Sequence, residues 1–183
     1  MAITRLNNNS LTSITALPTA ISTGKIGQVL QAYKSDNFET SASSDTDITG
    51  LSVAITPTAT SSKILVLSNI GGFSHNGVGG GFCINRGIGG TFTKIGRANA
   101  DGSRTRTSYA GDLYTGDASG TGQMFFSSNT CHLDSPNTTS EVTYKVTAQL
   151  NGNTLRVNFE ETNSDNSDTN VGTSNITVME ILA

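Results

Sequence analysis

Leu133–Leu150 reads LDSPNTTSEVTYKVTAQL, and its second half alternates without a break. Val142, Tyr144, Val146, Ala148 and Leu150 fall on one side of an extended chain; Glu141, Thr143, Lys145, Thr147 and Gln149 fall on the other. A sustained period of two marks a strand with one buried and one wet face. Ahead of it, Asp134-Ser135-Pro136-Asn137 is turn chemistry: Pro136 fixes its φ, and Asp134 and Asn137 can bond nearby backbone. Tyr144 and Val146 add the aromatic and β-branched bulk that a sheet favours. The stretch predicts a long antiparallel strand on which an all-β domain packs. Nothing in it has the makings of a catalytic group.

Working outward, Thr154–Glu160 (TLRVNFE) is expected to fold back on this strand as a hairpin across Asn151-Gly152-Asn153, since Asn-Gly tolerates positive φ. Ser174–Leu182 (SNITVMEIL) reads as a closing strand. Upstream, Gln28–Tyr33, Leu51–Ile55 and Lys63–Ile70 are strand candidates. The last carries four consecutive aliphatics, Ile64 to Leu67, and predicts burial on both faces. Gly81–Asn85 and Thr91–Ile95 are expected to pair across Arg86–Gly90. A weak strand is expected around Ser108–Leu113, and further strands at Gln123–Ser127 and Thr130–Leu133. No segment has a helical pattern. Two antiparallel sheets packed as a jelly-roll-like sandwich are the natural architecture.

Composition points to a thin core. Of 183 residues only 34% are apolar and 14% charged, with 20 Gly and no Trp. Subunits that bury one another's strands would supply the missing apolar contact, and a homotrimer is expected. Net charge is −3, whereas phosphate binding needs clustered Lys and Arg; nucleic acid is not an expected partner. No window reaches the length of a membrane span, and MAITRLNNNSLTS lacks the apolar core of a signal peptide, so a protein outside membranes and outside general secretion is expected.

Chemistry is sparse. Cys83 and Cys131, the only two cysteines, have no zinc-binding spacing with His75 and His132. A buried free thiol is expected at each, with a disulfide left open. Neither a G-x-G-x-x-G nor a P-loop spacing occurs, so the glycines of Gly71–Gly90 read as tight turns and close-packed backbone. Asp165 and Asp168 lack the Gly and the closing Glu of a calcium loop. Glu160 and Glu161 are adjacent, so in a strand they face opposite ways. No nucleophile elbow is present. The reading is of a protein that is not an enzyme, with no cofactor and no metal. Residues of Gly71–Gly122, namely Phe73, His75, Phe82, Arg104, Tyr109 and Tyr114, are the candidate ligand or partner contacts, expected in loops at an exposed end.

Residues 1–24 differ from the rest. Isolated apolar residues, among them Ile3, Leu6, Leu11, Ile14 and Leu17, punctuate Asn-, Ser- and Thr-rich sequence with Pro18. An extended arm whose apolar pegs dock on another protein fits this spacing, as does a disordered tail. The expected organisation is an arm over 1–24 and a β-sandwich head over 25–183.

The opening MAITRLNNNSLTSITALPTAISTGKIGQVLQ, together with SVAITPTATSSKILVL, HLDSPNTTSEVTYKV and the closing SNITVMEI, resembles a group of virion proteins from marine tailed bacteriophages, including phages of cyanobacteria. The matches run in order over most of the chain, with Gly71–Gly122 matched least. The resemblance implies a structural or adhesive role on the virion surface. That role is either a tail fibre touching a host glycan or protein, or a capsid decoration protein clamping the shell. At fold level the strand order is also similar to the trimeric heads of the complement-C1q and tumour-necrosis-factor kind. A free-standing carbohydrate-binding module is the alternative from another class; it would need exposed aromatic platforms.

Overall fold

The computed structural model describes residues 25–76, 80–110, 126–150, 154–160, 167 and 170–182. Its strands are β1 (Ile26–Lys34), β2 (Phe38–Thr40), β3 (Thr46–Ile55), β4 (Lys63–Asn76), β5 (Gly80–Ile88), β6 (Thr91–Ile95), β7 (Tyr109–Ala110), β8 (Phe126–Asp134), β9 (Val142–Leu150), β10 (Thr154–Val157) and β11 (Ser174–Ile181). No helix occurs among the described residues.

All pairings are antiparallel, in two sheets. The first has the order β1-β11-β4-β10-β2, with β8 on the other edge of β4; the second has the order β3-β9-β5-β6, with β7 on β5. The chain crosses from sheet to sheet at β2–β3, β3–β4, β4–β5, β7–β8, β8–β9 and β9–β10, so most strands are followed by one in the opposite layer. This is the jelly-roll-like sandwich expected from the strand pattern.

The alternation of β9 fixes the core. Val142, Tyr144, Val146 and Ala148 have no exposed surface, and Leu150 has 1%. Val142, Val146 and Leu150 each contribute roughly 1.5–3 kcal/mol by leaving water. They meet Ile64, Val66, Ile70, Ile176 and Val178 of the first sheet. Tyr144 needs a partner for its hydroxyl there, and donates to Asp134 Oδ2 at 2.8 Å. Asp134, at the end of β8, also accepts from Arg86 Nη1 of β5 at 2.9 Å, so one carboxylate ties the two layers together. Burial, then the bond to Asp134 and its negative charge, push the Tyr144 phenol above its ordinary range, keeping it a donor.

Two expectations fail for reasons of geometry. Thr154–Val157 does not form a hairpin with β9, because both edges of β9 are already taken by β3 and β5. It crosses instead to the first sheet and pairs with β4 and β2. The intervening 151–153 lies outside the described residues. The Lys63–Ile70 part of β4 is fully buried on one face only; Leu65 and Leu67 on the other are half-buried, since no described segment covers them.

β4 changes partner midway. Ile70 pairs with Ser174 of β11, while Phe73 pairs with Val157 of β10. At the handover a Cβ on Gly71 would lie 1.8 Å from the Thr173 carbonyl oxygen, so only glycine fits. Asn158, fully buried at φ 70°, locks the junction. Its backbone N–H donates to Gly72 O at 2.7 Å, and its side-chain amide donates to Lys34 O and Asp36 O at 3.1 and 3.0 Å. Its Oδ1 accepts from Ser174 Oγ at 2.7 Å.

The ends of the strands define two poles. At one, Leu182 N–H donates to Lys25 O at 2.8 Å, placing the start and finish of the head side by side. Glu180 of β11 pins the β3–β4 connection there: its Oε1 accepts from Thr58 N–H and Oγ1 at 2.6 and 2.7 Å, and its Oε2 from Gln28 Nε2 at 2.8 Å. Burial opposes the charge on Glu180, but these bonds outweigh it and hold the carboxyl down at about 2. The strand ends that flank 77–79, 111–125 and 151–153 lie at the opposite pole.

Candidate functional site

The sequence-predicted contact residues separate. Phe73, Phe82 and Tyr109 are core residues, at 2%, 0% and 7% exposure, and this corrects their expected place in surface loops. Phe73 meets Phe82 edge-on with ring centroids 5.2 Å apart, and Phe82 lies 5.3 Å from Tyr109. The Tyr109 hydroxyl shares a 2.9 Å hydrogen bond with Ser68 Oγ, and burial drives its pKa up, so it stays neutral. The reason is that the Gly-rich stretch is strand, not loop: β5 needs close backbone approach, and its alternate side chains fill the end of the core. A Cβ on Gly81 would lie 2.5 Å from Thr107 Cγ2, for instance.

Arg104 is exposed, as expected, and pairs with Asp101 three residues earlier. His75 belongs to β4, opposite Leu155 of β10. Tyr114, the arm positions Ile3, Leu6, Leu11, Ile14 and Leu17, and Glu161, Asp165 and Asp168 lie outside the described residues. Glu160 is buried and its Oε1 accepts from the backbone and side chain of Asn170, a structural use. Among the described residues, no three His, Cys, Asp or Glu side chains come together to hold a metal ion. No described helix is long and apolar enough to cross a membrane.

The two outer faces of the sandwich differ in kind. That of the second sheet is charged and satisfied from within. Lys145 Nζ sits 3.8 Å from the Phe92 ring centroid and 2.7 Å from Asp47 Oδ2. Lys94 Nζ reaches Asp45 and Gln149, and Thr147 links Asp45 to Asn85. Phe92, 42% exposed, packs against Gly87 with Lys145 over its ring, so the ring is not an open platform for a sugar.

The outer face of β1, β11, β4 and β8 is the opposite: apart from Lys63 at its margin it carries no charge, and no described segment covers it. Register aligns its side chains in rows across the strands. Val29, Met179, Leu65 and Leu133 form one row; Gln31, Thr177, Leu67 and Cys131 the next; Tyr33, Asn175, Asn69 and Asn129 the third. Val29 is 54% exposed, Tyr33 60% and Leu133 48%. Within the face, a depression of about 420 Å³ is lined by Leu67, Asn69, Asn129, Cys131 and Asn175. Cys131 is exposed here, against the expectation of a buried thiol, because β8 turns its odd-numbered residues outward; Cys83 is buried and free as expected. Burial pushes the Cys83 thiol above its usual range.

Sequence reasoning missed this face as a site. Its signal was the unbroken aliphatic run of β4, which placed Leu65 and Leu67 opposite the core side, and Met179 and Ile181 on the non-core alternate of β11. Compared with known proteins, the chain matches no family model and no curated sequence.

Proposed function

We propose that this chain is a non-enzymatic structural protein of a bacteriophage virion: a surface head that works as a homotrimer, is fixed through residues 1–24, and serves as part of a tail fibre that meets a host glycan or protein. The observation that carries the reading is the face of β1, β11, β4 and β8, whose three central rows carry no charge and which the described residues of a single copy leave bare. Contiguous apolar surface of this kind marks association. The resemblance to marine phage virion proteins supplies the setting. The polar arrangement agrees with it, since Lys25, which follows the arm, lies at one pole and the flanks of the 111–125 connection lie at the other.

The test is imaging of intact particles with the protein labelled, combined with deletion of residues 1–24. A tail-fibre protein appears at the tail, and the truncated head folds but is absent from particles. Labelling over the shell instead makes it a decoration protein that clamps neighbouring capsid subunits. Normal incorporation of the truncated head refutes attachment through the arm, and absence from particles altogether refutes the virion reading.

A further inference from the structure

The third row of the bare face has a chemistry of its own. Asn175, Asn69 and Asn129 are in register on three adjacent strands, so three carboxamides stand side by side across the sheet, with Tyr33 at the end of the row. A carboxamide is donor and acceptor at once, so a row of them is complementary to another of the same kind. Charge is absent from this row and from the other two, one apolar (Val29, Met179, Leu65, Leu133) and one mixed, in which Gln31 bonds Thr177 beside Leu67 and Cys131, so nothing there selects a partner of opposite sign.

Resting on the assembly reading above, we propose that the occupant of this face is a second copy of the same chain, and that the asparagine row is the specificity device that sets how the copies register. The apolar side chains of the other two rows provide attraction without direction. The amides give it direction, because any slip that buries one against Leu65 or Leu133 leaves polar groups unpaired. A lone polar residue in an apolar seam fixes register and copy number in coiled coils by the same physics. The size is adequate: four strands roughly 4.8 Å apart and about eight residues long present roughly 500 Å² in plan. Side-chain relief adds to that, toward the ≈ 800 Å² that each partner commonly contributes.

Cys131 is a built-in reporter. It stands beside the row, while the chain's other thiol, Cys83, is buried. A short bis-maleimide added to the native full-length protein is expected to yield covalent dimers on a denaturing gel, one bridge using the single reachable thiol of each copy, and none in Cys131→Ser. Asn69→Asp places a carboxylate in the row of every copy. It is expected to weaken association by about tenfold or more in sedimentation, through like-charge contact, with circular dichroism unchanged. Asn69→Leu should keep the copies together but broaden the distribution of species. If Asn69→Asp fails to fold, Asn129→Asp at the edge strand reads the same effect.

An assembled protein whose Cys131 reacts freely with a monofunctional maleimide and does not cross-link overturns the assignment of the face while leaving assembly intact. Asparagine variants that sediment like the parent, as one species of unchanged affinity, overturn the role of the row. A stable monomer at micromolar concentration overturns both this inference and the trimer on which it rests. A monomer with a protected Cys131 shows, in addition, that another segment of the same chain covers the face.

Discussion

Asn158→Ala is the sharpest single test of how the head holds together. The substitution removes the amide that bonds Lys34 O and Asp36 O, and the oxygen that accepts from Ser174 Oγ. At about 1 kcal/mol for each lost bond, the loss is roughly 3 kcal/mol. The position also has φ 70°, where alanine is strained by about 1 kcal/mol more. The expected cost is therefore about 4 kcal/mol, a large share of the stability of an ordinary domain. Asn158→Gly keeps the backbone conformation and loses only the bonds, so it should cost about 3 kcal/mol. Urea unfolding at one fixed protein concentration measures both, as shifts in midpoint at unchanged slope. If both variants lose less than about 1 kcal/mol, the junction of β1, β4, β10 and β11 does not depend on this residue, and the reasoning fails. If they lose the same amount, the strain argument alone is wrong.

Glu180 gives a pH dependence whose sign is fixed by its depressed pKa. Its carboxyl drops from 4.5 to about 2 on folding, so the stabilisation is complete above pH 4.5 and is lost as pH falls toward 2. With screening allowed for, it is on the order of 1 to 2 kcal/mol. Glu180→Gln should lower the melting temperature at pH 7 and flatten the acid limb of the stability profile; an unchanged limb counts against the pinning of the β3–β4 connection. Tyr109→Phe should cost about 1 kcal/mol through the lost bond to Ser68, and Tyr109→Ala roughly 3–5 kcal/mol as an aromatic core truncation. Arg104→Ala should stay within about 0.5 kcal/mol, and chemical denaturation that ranks Tyr109→Ala with Arg104→Ala would mean the aromatic cluster is not packed as described.

The period-two pattern carried most of the fold because it reports a physical asymmetry that one strand feels locally. Val142 through Leu150 alternate because one face of β9 meets the core, and no other part of the chain is needed to see it. The pairing of β10 was not legible in the same way. Asn151-Gly152-Asn153 signals a turn, but whether a strand returns to its predecessor depends on whether that predecessor has a free edge, which β3 and β5 decide from far away in sequence. Phe73, Phe82 and Tyr109 escape a reading in which glycine signals loops. In β5 the glycines instead permit close packing, and the aromatics between them turn inward. The bare face was half legible: Leu65 and Leu67 stood out in sequence, but Asn69, Asn129 and Asn175 come from three distant segments. Their alignment exists only in the register of β8, β4 and β11.

The adjacency of Lys25 and Leu182 has a consequence for how the molecule tolerates change. Both ends of the head leave from one pole, so a tag or a further domain joined after the last strand would sit beside the entry of the chain, far from the flanks of 77–79, 111–125 and 151–153. The sandwich between the poles is bonded through its own length by β4 and β9. Insertions in those distant connections therefore lengthen one end without moving the other, and one pole can be rewritten while the other stays the same.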